Sequence, residues 1–287
     1  MSKQLMKGNE ALAEAALRAG CRFYSGYPIT PQTEILEYLA KRMDEVGGTF
    51  VQTESELAGI NMLLGAAAAG ARALTSSAGP GFSLNQEGIS YLVAADLPAV
   101  IINVMRIGTG LGDIAQGQGD YWQMTRGGGH GDYHLIVLAP NSVQEMHDHV
   151  AEAFDLAFKY RNPALILADG AIGQMMEKVV LAPQRPRKTD EEIAAECRSW
   201  ATYGKPADRK RNIVTSLELQ SEKMEIINKR LQEKYKALEE NEVRYEEIGC
   251  DDADYVIVAF GSSARICSAT VEMARAEGLK VGLLRPI

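Results

Sequence analysis

Cysteine is scarce in this 287-residue chain: Cys21, Cys197, Cys250 and Cys267 are all there is, and no two form a C-x-x-C pair. Neither a zinc site nor a ferredoxin-type cluster can be built from them alone. They read as small buried hydrophobes in a reducing compartment. Long apolar runs are missing too. Nowhere do 18 consecutive apolar residues occur, and the opening MSKQLMKGNEALAEAALRAG has no apolar core flanked by a cleavage site. The expectation is a cytoplasmic protein without a membrane partner. Positive charge is also short: 30 Lys plus Arg stand against 38 Asp plus Glu, a net charge of -8, which argues against nucleic acid as a partner.

Several familiar motifs are incomplete. His130 and His134 sit close together in HGDYH, but Asp132 alone is thin support for a metal site, and none is expected on this chain. Ser83 in GPGFS does not match the G-x-S-x-G nucleophile pattern. Gly108, Gly110 and Gly112 mimic half of a dinucleotide fingerprint, yet the following IAQGQGD is a poor helix.

What is present is an alternation. At 46% hydrophobic the chain can bury one large core and begin a second. Up to about residue 170, helical and strand-like patterns alternate, the signature of a parallel sheet covered by helices. A helix over 9–19 has the stripe Leu12, Ala13, Ala16 and Leu17 and a stop at Gly20. Strands are expected at 21–24, 49–52, 71–76, 99–104, 135–138 and 164–167, with helices at 33–45, 57–69 and 143–158. The fold class is therefore α/β. Residues 1–182 form the main domain and 183–250 a linker arm. The arm's proline-rich, charged first half is expected to be exposed, and a charged helix follows in which Leu217, Met224, Leu231 and Leu238 recur every seven residues. Residues 251–287 read as one βαβ unit, the start of a second α/β domain.

In a parallel sheet, ligands gather beyond the carboxyl ends of the strands. Four stretches fall there: GYPITP at 26–31, QTESE at 52–56, SAGPGF at 77–82 and NVMRIGTGLGD at 103–113. Pro28 and Pro31 restrict the backbone around Ile29 and Thr30 and aim the Thr30 hydroxyl. Glu54 stands at an expected helix start, where a carboxylate either favours the helix dipole or shares a proton with a ligand nitrogen; Glu56 competes for that role. Arg106, just past a buried strand, can grip a carboxylate with its two-pronged guanidinium.

Together, YPITP, the Q-x-E segment, AGPGFSL and HGDYHLIVLAPNSVQE make the chain resemble the alpha subunit of 2-oxoacid:ferredoxin oxidoreductases, closely over about residues 7–180 and more weakly beyond. The resemblance implies a domain that binds the aminopyrimidine half of thiamine diphosphate. Glu54 matches the ring-bonding glutamate, Tyr27, Pro28, Ile29 and Thr30 contact the cofactor, and Arg106 faces the substrate carboxylate. It also implies oxidative decarboxylation of a small 2-oxo acid, the acyl group passing to coenzyme A and the electrons to ferredoxin. ADGAIG at 168–173 lacks the GDG continuation that holds magnesium, so magnesium is expected on a beta subunit, and iron-sulfur clusters on gamma or ferredoxin-like partners. The segment from Arg106 to His134 looks more like the 2-ketoisovalerate type than the 2-oxoglutarate type, although RIGT replaces the commoner RGGP and puts Ile107 where a glycine is usual.

Overall fold

The computed structural model describes residues 3–287. β1 (Lys3–Lys7) and α1 (Gly8–Arg18) lead into β2 (Phe23–Gly26), α2 (Thr33–Arg42), β3 (Thr49–Gln52), α3 (Glu56–Ala68), β4 (Ala73–Ser77) and α4 (Gly79–Ala94). Then come β5 (Val100–Met105), α5 (Tyr121–Arg126), β6 (Ile136–Leu138), α6 (Val143–Tyr160), β7 (Ala164–Asp169), α7 (Gly170–Gln174) and β8 (Met176–Val180). The central sheet has six parallel strands in the order β3-β2-β4-β5-β7-β6.

Helices cover both faces because the inner strands are apolar on both sides. Every residue of β4, β5 and β7 is buried. Alternation along β5 sends Val100, Ile102 and Val104 into the core under α1, α2 and α6, while Ile101 and Met105 join Ile60, Phe82 and Ile89 under α3 and α4. The stripe on α1 is wholly internal, Leu12, Ala13 and Ala16 being fully buried. Burying a leucine side chain stabilises by roughly 1.5–3 kcal/mol, so this face seats α1 against α6.

Three features depart from the expectation. β1 adds an antiparallel pair with β8, which local pattern does not reveal because its partner lies at the far end of the domain. The arm is not wholly exposed: α8 (Asp190–Glu196) forms behind a Thr189–Glu192 capping box, and Cys197 and Ala201 after it are 2% and 1% exposed. The terminal unit gains a third strand. β9 (Tyr245–Ile248) pairs antiparallel with β11 (Val281–Pro286), which also pairs parallel with β10 (Tyr255–Val258) across α10 (Gly261–Ala276).

The long helix α9 (Ser221–Glu242) lies on its own protein. Leu231 and Tyr235 are buried in the core beneath α3 and α4, and Lys234 bonds Asp96 at 2.6 Å. Leu217, the first residue of the seven-residue repeat, stands outside the helix and is exposed.

Candidate active site

The turn after β2 is pinned from several directions. Pro31 O accepts from Asn9 Nδ2 at 2.7 Å and Gln174 Nε2 at 3.2 Å, and Gln32 Nε2 donates to Tyr27 O at 3.1 Å. Beneath it, the Tyr24 hydroxyl meets Ser76 Oγ at 2.7 Å, and Ser76 Oγ donates to Gln32 Oε1 at 2.6 Å. With its backbone held, the turn exposes Tyr27 and Thr30, while Pro28 and Ile29 are half-buried.

Arg106 joins two of these stretches. Its Nη1 donates to Thr30 O at 3.0 Å and its Nη2 to Leu111 O, so the guanidinium ties the β2 turn to the glycine-rich loop. The residue is 8% exposed, and its Nε has no hydrogen-bond partner among the described residues. Gly79 makes room for it: a Cβ there would lie 2.8 Å from Arg106 Nε. Ile107 takes an ordinary negative φ, the left-handed conformation falling instead on Gly108, at φ 102°. The β-branched residue is accommodated without backbone strain.

The two glutamates separate cleanly. Ser55 caps α3, its side chain accepting from Ala58 N at 3.3 Å. Glu54 therefore lies before the helix and is exposed, whereas Glu56, the first helical residue, is buried. The Glu56 carboxylate reaches the start of α4, where a Cβ on Gly81 would sit 2.2 Å from Glu56 Oε1 and 2.6 Å from Ser77 Oγ. The structure thus brings Thr30 and Arg106 together and places Glu56, rather than Glu54, against the sheet edge.

Sequence reasoning did not single out the polar groups around this carboxylate. Ser77 on β4 pairs with Asn103 on β5, so both side chains leave the same face of the sheet. Asn85 follows Gly81 by one turn on α4. All three are buried, and Ser77 Oγ, Asn103 Oδ1 and both polar atoms of the Asn85 amide lack partners among the described residues. Buried polar atoms are seldom left so without water or a ligand. Asn103 Nδ2 donates to Asp120 Oδ2 at 3.0 Å. Burial raises the Asp120 pKa, an effect opposed by that hydrogen bond and by the positive charge of Arg106. A clue to one of these groups was legible in the sequence: Asn103 interrupts the otherwise apolar strand β5, whereas Ser77 ends a strand, β4, that already carries Thr75 and Ser76.

The terminal unit closes over the end of the glycine-rich loop. Gln118 Nε2 donates to Phe260 O at 2.9 Å, and Ser263 Oγ donates to Gln118 Oε1 at 2.7 Å. Asp169 caps two helices at once, Oδ1 accepting from Ala171 N and Ile172 N of α7 and Oδ2 from Ser262 N of α10 at 3.0 Å. His130 is exposed, and His134 packs edge-on to Tyr235.

A parallel α/β sheet with this buried carboxylate at its carboxyl edge is the frame of a cofactor-binding domain, and comparison with known proteins names the class. Residues 14–246 match the pyruvate flavodoxin/ferredoxin oxidoreductase family in its thiamine diphosphate-binding domain, and 253–287 match core domain II of pyruvate:ferredoxin oxidoreductase. The chain belongs to this oxidoreductase family. It is 54% identical to ketoisovalerate oxidoreductase subunit VorB of Methanothermobacter marburgensis, over 100% of this chain and 80% of that one. It is 37% identical to 2-oxoglutarate synthase subunit KorA of Archaeoglobus fulgidus, over 99% and 81%. A solved 2-oxoglutarate:ferredoxin oxidoreductase from Magnetococcus marinus, with 2-oxoglutarate, coenzyme A and succinyl-CoA bound, superposes with a TM-score of 0.85 at 26% identity. That match covers 99% of this chain, which spans 54% of the solved one. Among the described residues, no helix is long and apolar enough to cross a membrane.

Proposed function

We propose that this chain is the pyrimidine-binding subunit of an enzyme that oxidatively decarboxylates a branched-chain 2-oxo acid, 2-ketoisovalerate, to an acyl-CoA and CO2, with ferredoxin accepting the electrons. The observation that carries the reading is the buried Glu56 carboxylate, set beside the uncommitted Ser77 hydroxyl, with the unpartnered Asn85 amide one turn beyond Gly81 on α4, in a chain of this family. That donor set fits an aminopyrimidine, whose ring nitrogens and amino group need a proton-sharing carboxylate and short polar partners. When bound, thiamine diphosphate supplies the carbon nucleophile and the electron sink of the reaction.

The chain's own residues do the rest. Glu56 shares a proton with a pyrimidine nitrogen, and the exposed Glu54 does not. Arg106 receives the substrate carboxylate on the N–H groups its two carbonyl partners leave free, and the Thr30 hydroxyl stands beside it with Tyr27, Pro28 and Ile29 along the cofactor. Asn103 holds a second carboxylate, that of Asp120, close enough to Arg106 to feel its charge.

On this reading residues 1–182 are the pyrimidine domain, 183–250 an arm with a charged helix whose last strand, β9, joins the terminal sheet, and 251–287 the beginning of a second α/β domain. Asp169 is already committed to the caps of α7 and α10, which supports magnesium and the diphosphate lying on a beta subunit. Iron-sulfur clusters then lie on gamma or ferredoxin-like subunits. Ile107, exposed beside Arg106, favours an aliphatic substrate over 2-oxoglutarate, whose second carboxylate would need a cation there. Co-expression with the partner subunits tests the proposal, with thiamine-dependent viologen reduction compared for 2-ketoisovalerate, 2-oxoglutarate and pyruvate. The highest kcat/KM for 2-ketoisovalerate is expected; no turnover of any of the three by an assembled, cofactor-loaded complex overturns it.

A further inference from the structure

The glycine-rich loop after β5 offers its side chains to solvent: every residue from 107 to 116 is exposed. A segment with so little packing sits at the low end of local stability, so its placement depends on its ends. At the first end it folds back on Arg106 and Ile107. Arg106 forms an antiparallel bridge with Gln116, Ile107 N donates to Ala115 O at 2.9 Å, and Asp113 N donates to Ile107 O at 2.8 Å. Gly117 lets the returning chain lie flat on this turn, since a Cβ there would come 2.9 Å from Ile107 Cα. The residue that carries the guanidinium is thus one half of a short ladder whose other half is 115–117.

Immediately beyond the ladder stands Gln118, whose amide is committed to the terminal unit and to Asp169. Its Nε2 donates to Phe260 O at 2.9 Å and to Asp169 Oδ2 at 3.3 Å, and its Oε1 accepts from Ser263 Oγ at 2.7 Å. Gly261 makes room for it, at φ 56°: a Cβ there would lie 2.8 Å from Gln118 Nε2. Three residues on, the Tyr121 ring packs on Phe260 with centroids 5.4 Å apart, and Asp120 between them is held by Asn103. Asp169 ties the same point to the other side of Arg106. It caps α7, and Gln174 at the end of α7 donates to Pro31 O, in the turn whose Thr30 carbonyl the guanidinium holds. A continuous path of contacts therefore runs from Phe260 and Ser263 through Gln118 and the ladder to Arg106.

We propose that Gln118 is a positioning residue for the reaction: by anchoring the loop to the terminal unit it holds the ladder that orients Arg106, so the grip on the substrate carboxylate depends on the terminal unit being seated. The inference rests on the role given above to Arg106. Gln118 acts through the backbone of 115–117 rather than on the substrate itself. An amide suits the task because it donates and accepts at once, whereas a glutamate would set a second negative charge against the buried Asp169 carboxylate.

Initial rates of the reconstituted complex carrying Gln118→Ala test this. The KM for 2-ketoisovalerate should rise about fivefold or more, the worth of about one lost hydrogen bond, while the KM for coenzyme A stays within about twofold of the parent. Ser263→Ala should raise the first KM by a smaller factor, and the double variant no further than Gln118→Ala alone, because both changes cut one contact. Lys234→Gln cuts the bond to Asp96 beyond the far end of α4; it reports loss of stability alone and should leave both KM values unchanged. Hydrogen exchange of the same complexes reads the loop without turnover: amides of 107–116 should exchange faster in Gln118→Ala and at the parent rate in Lys234→Gln. If Gln118→Ala does not assemble, Ser263→Ala, which leaves the loop's own sequence intact, carries the decision. A parent complex that turns over no 2-oxo acid overturns the functional reading and the substrate role of Gln118 with it. A parent active on 2-ketoisovalerate beside variants of unchanged KM, or unchanged exchange over 107–116, overturns this inference alone.

Discussion

Glu56 and Ser77 meet across Gly81: a Cβ on residue 81 would lie 2.2 Å from Glu56 Oε1 and 2.6 Å from Ser77 Oγ. The absence of a side chain at that point lets a carboxylate from the start of α3 reach the polar atoms of β4 beneath the start of α4.

Glu56→Gln keeps the shape of the side chain and removes its ability to exchange a proton. In the reconstituted enzyme kcat should fall by about 10²–10⁴-fold, the usual worth of a positioned acid-base group. Glu54→Gln, on the exposed side of the Ser55 cap, should stay within about twofold of the parent, as befits a surface change. Steady-state viologen reduction by the two variants side by side decides the matter. Loss of activity in Glu54→Gln with Glu56→Gln unaffected would return the role to Glu54.

Gly81→Ala should displace the Glu56 carboxylate rather than unfold the chain, because the nearest atom is the mobile end of a side chain. The expected outcome is a melting temperature within a few degrees of the parent, corresponding to about 1 kcal/mol or less, together with loss of most thiamine-dependent activity. A variant with normal turnover would show that the carboxylate works from another position.

How much of this could be read from the residues depends on how local the cause is. The α1 stripe of Leu12, Ala13, Ala16 and Leu17, and the apolar run of β5, mark buried elements without reference to anything distant. The pairing of β1 with β8, and of β9 with β11, depends on partners far along the chain, and neither strand has an apolar face long enough to announce itself. The glutamate choice turned on a single residue of helix boundary: with Ser55 as the cap, Glu56 turns toward the sheet and Glu54 toward solvent. Helix starts are the least legible part of a sequence, and the proposed role of Glu56 in place of Glu54 rests on one. Arg106 and Thr30 were legible as neighbours because both lie just beyond the carboxyl ends of strands of one parallel sheet, although their contact runs through the Thr30 carbonyl rather than its hydroxyl.

Arg106→Lys keeps the charge but removes the fork that spans the carbonyls of Thr30 and Leu111. The expected effect is a KM for the 2-oxo acid raised about tenfold or more, and a smaller change in kcat, since ground-state positioning of the carboxylate is what the fork provides. Initial rates over a wide substrate range separate the two parameters. An unchanged KM would remove Arg106 from the substrate contact.

His149 links stability to pH through the seam between α6 and the terminal unit. Burial pushes its pKa below the ordinary histidine value; Glu145 and Asp148 oppose this, while Arg285 and Arg244 add to it. Around the ring stand Glu145 at 3.9 Å and Glu152 at 3.4 Å, each also bonded to one of those arginines. A histidine held neutral when folded binds its proton more readily when unfolded. Stability from this group is therefore fully present above the unfolded pKa of about 6.5 and is lost as pH falls below it. Carboxylates with lowered pKa values, Glu34 and Asp155 among them, lose their contribution only at more acid pH. The melting temperature should thus drop between pH 7.5 and 5.5, and His149→Gln should flatten that slope by removing the only ionisable group at its position. An equally steep slope in the variant would place the acid sensitivity elsewhere, and a rise in melting temperature toward pH 5.5 would mean that the two glutamates, not burial, govern the ring.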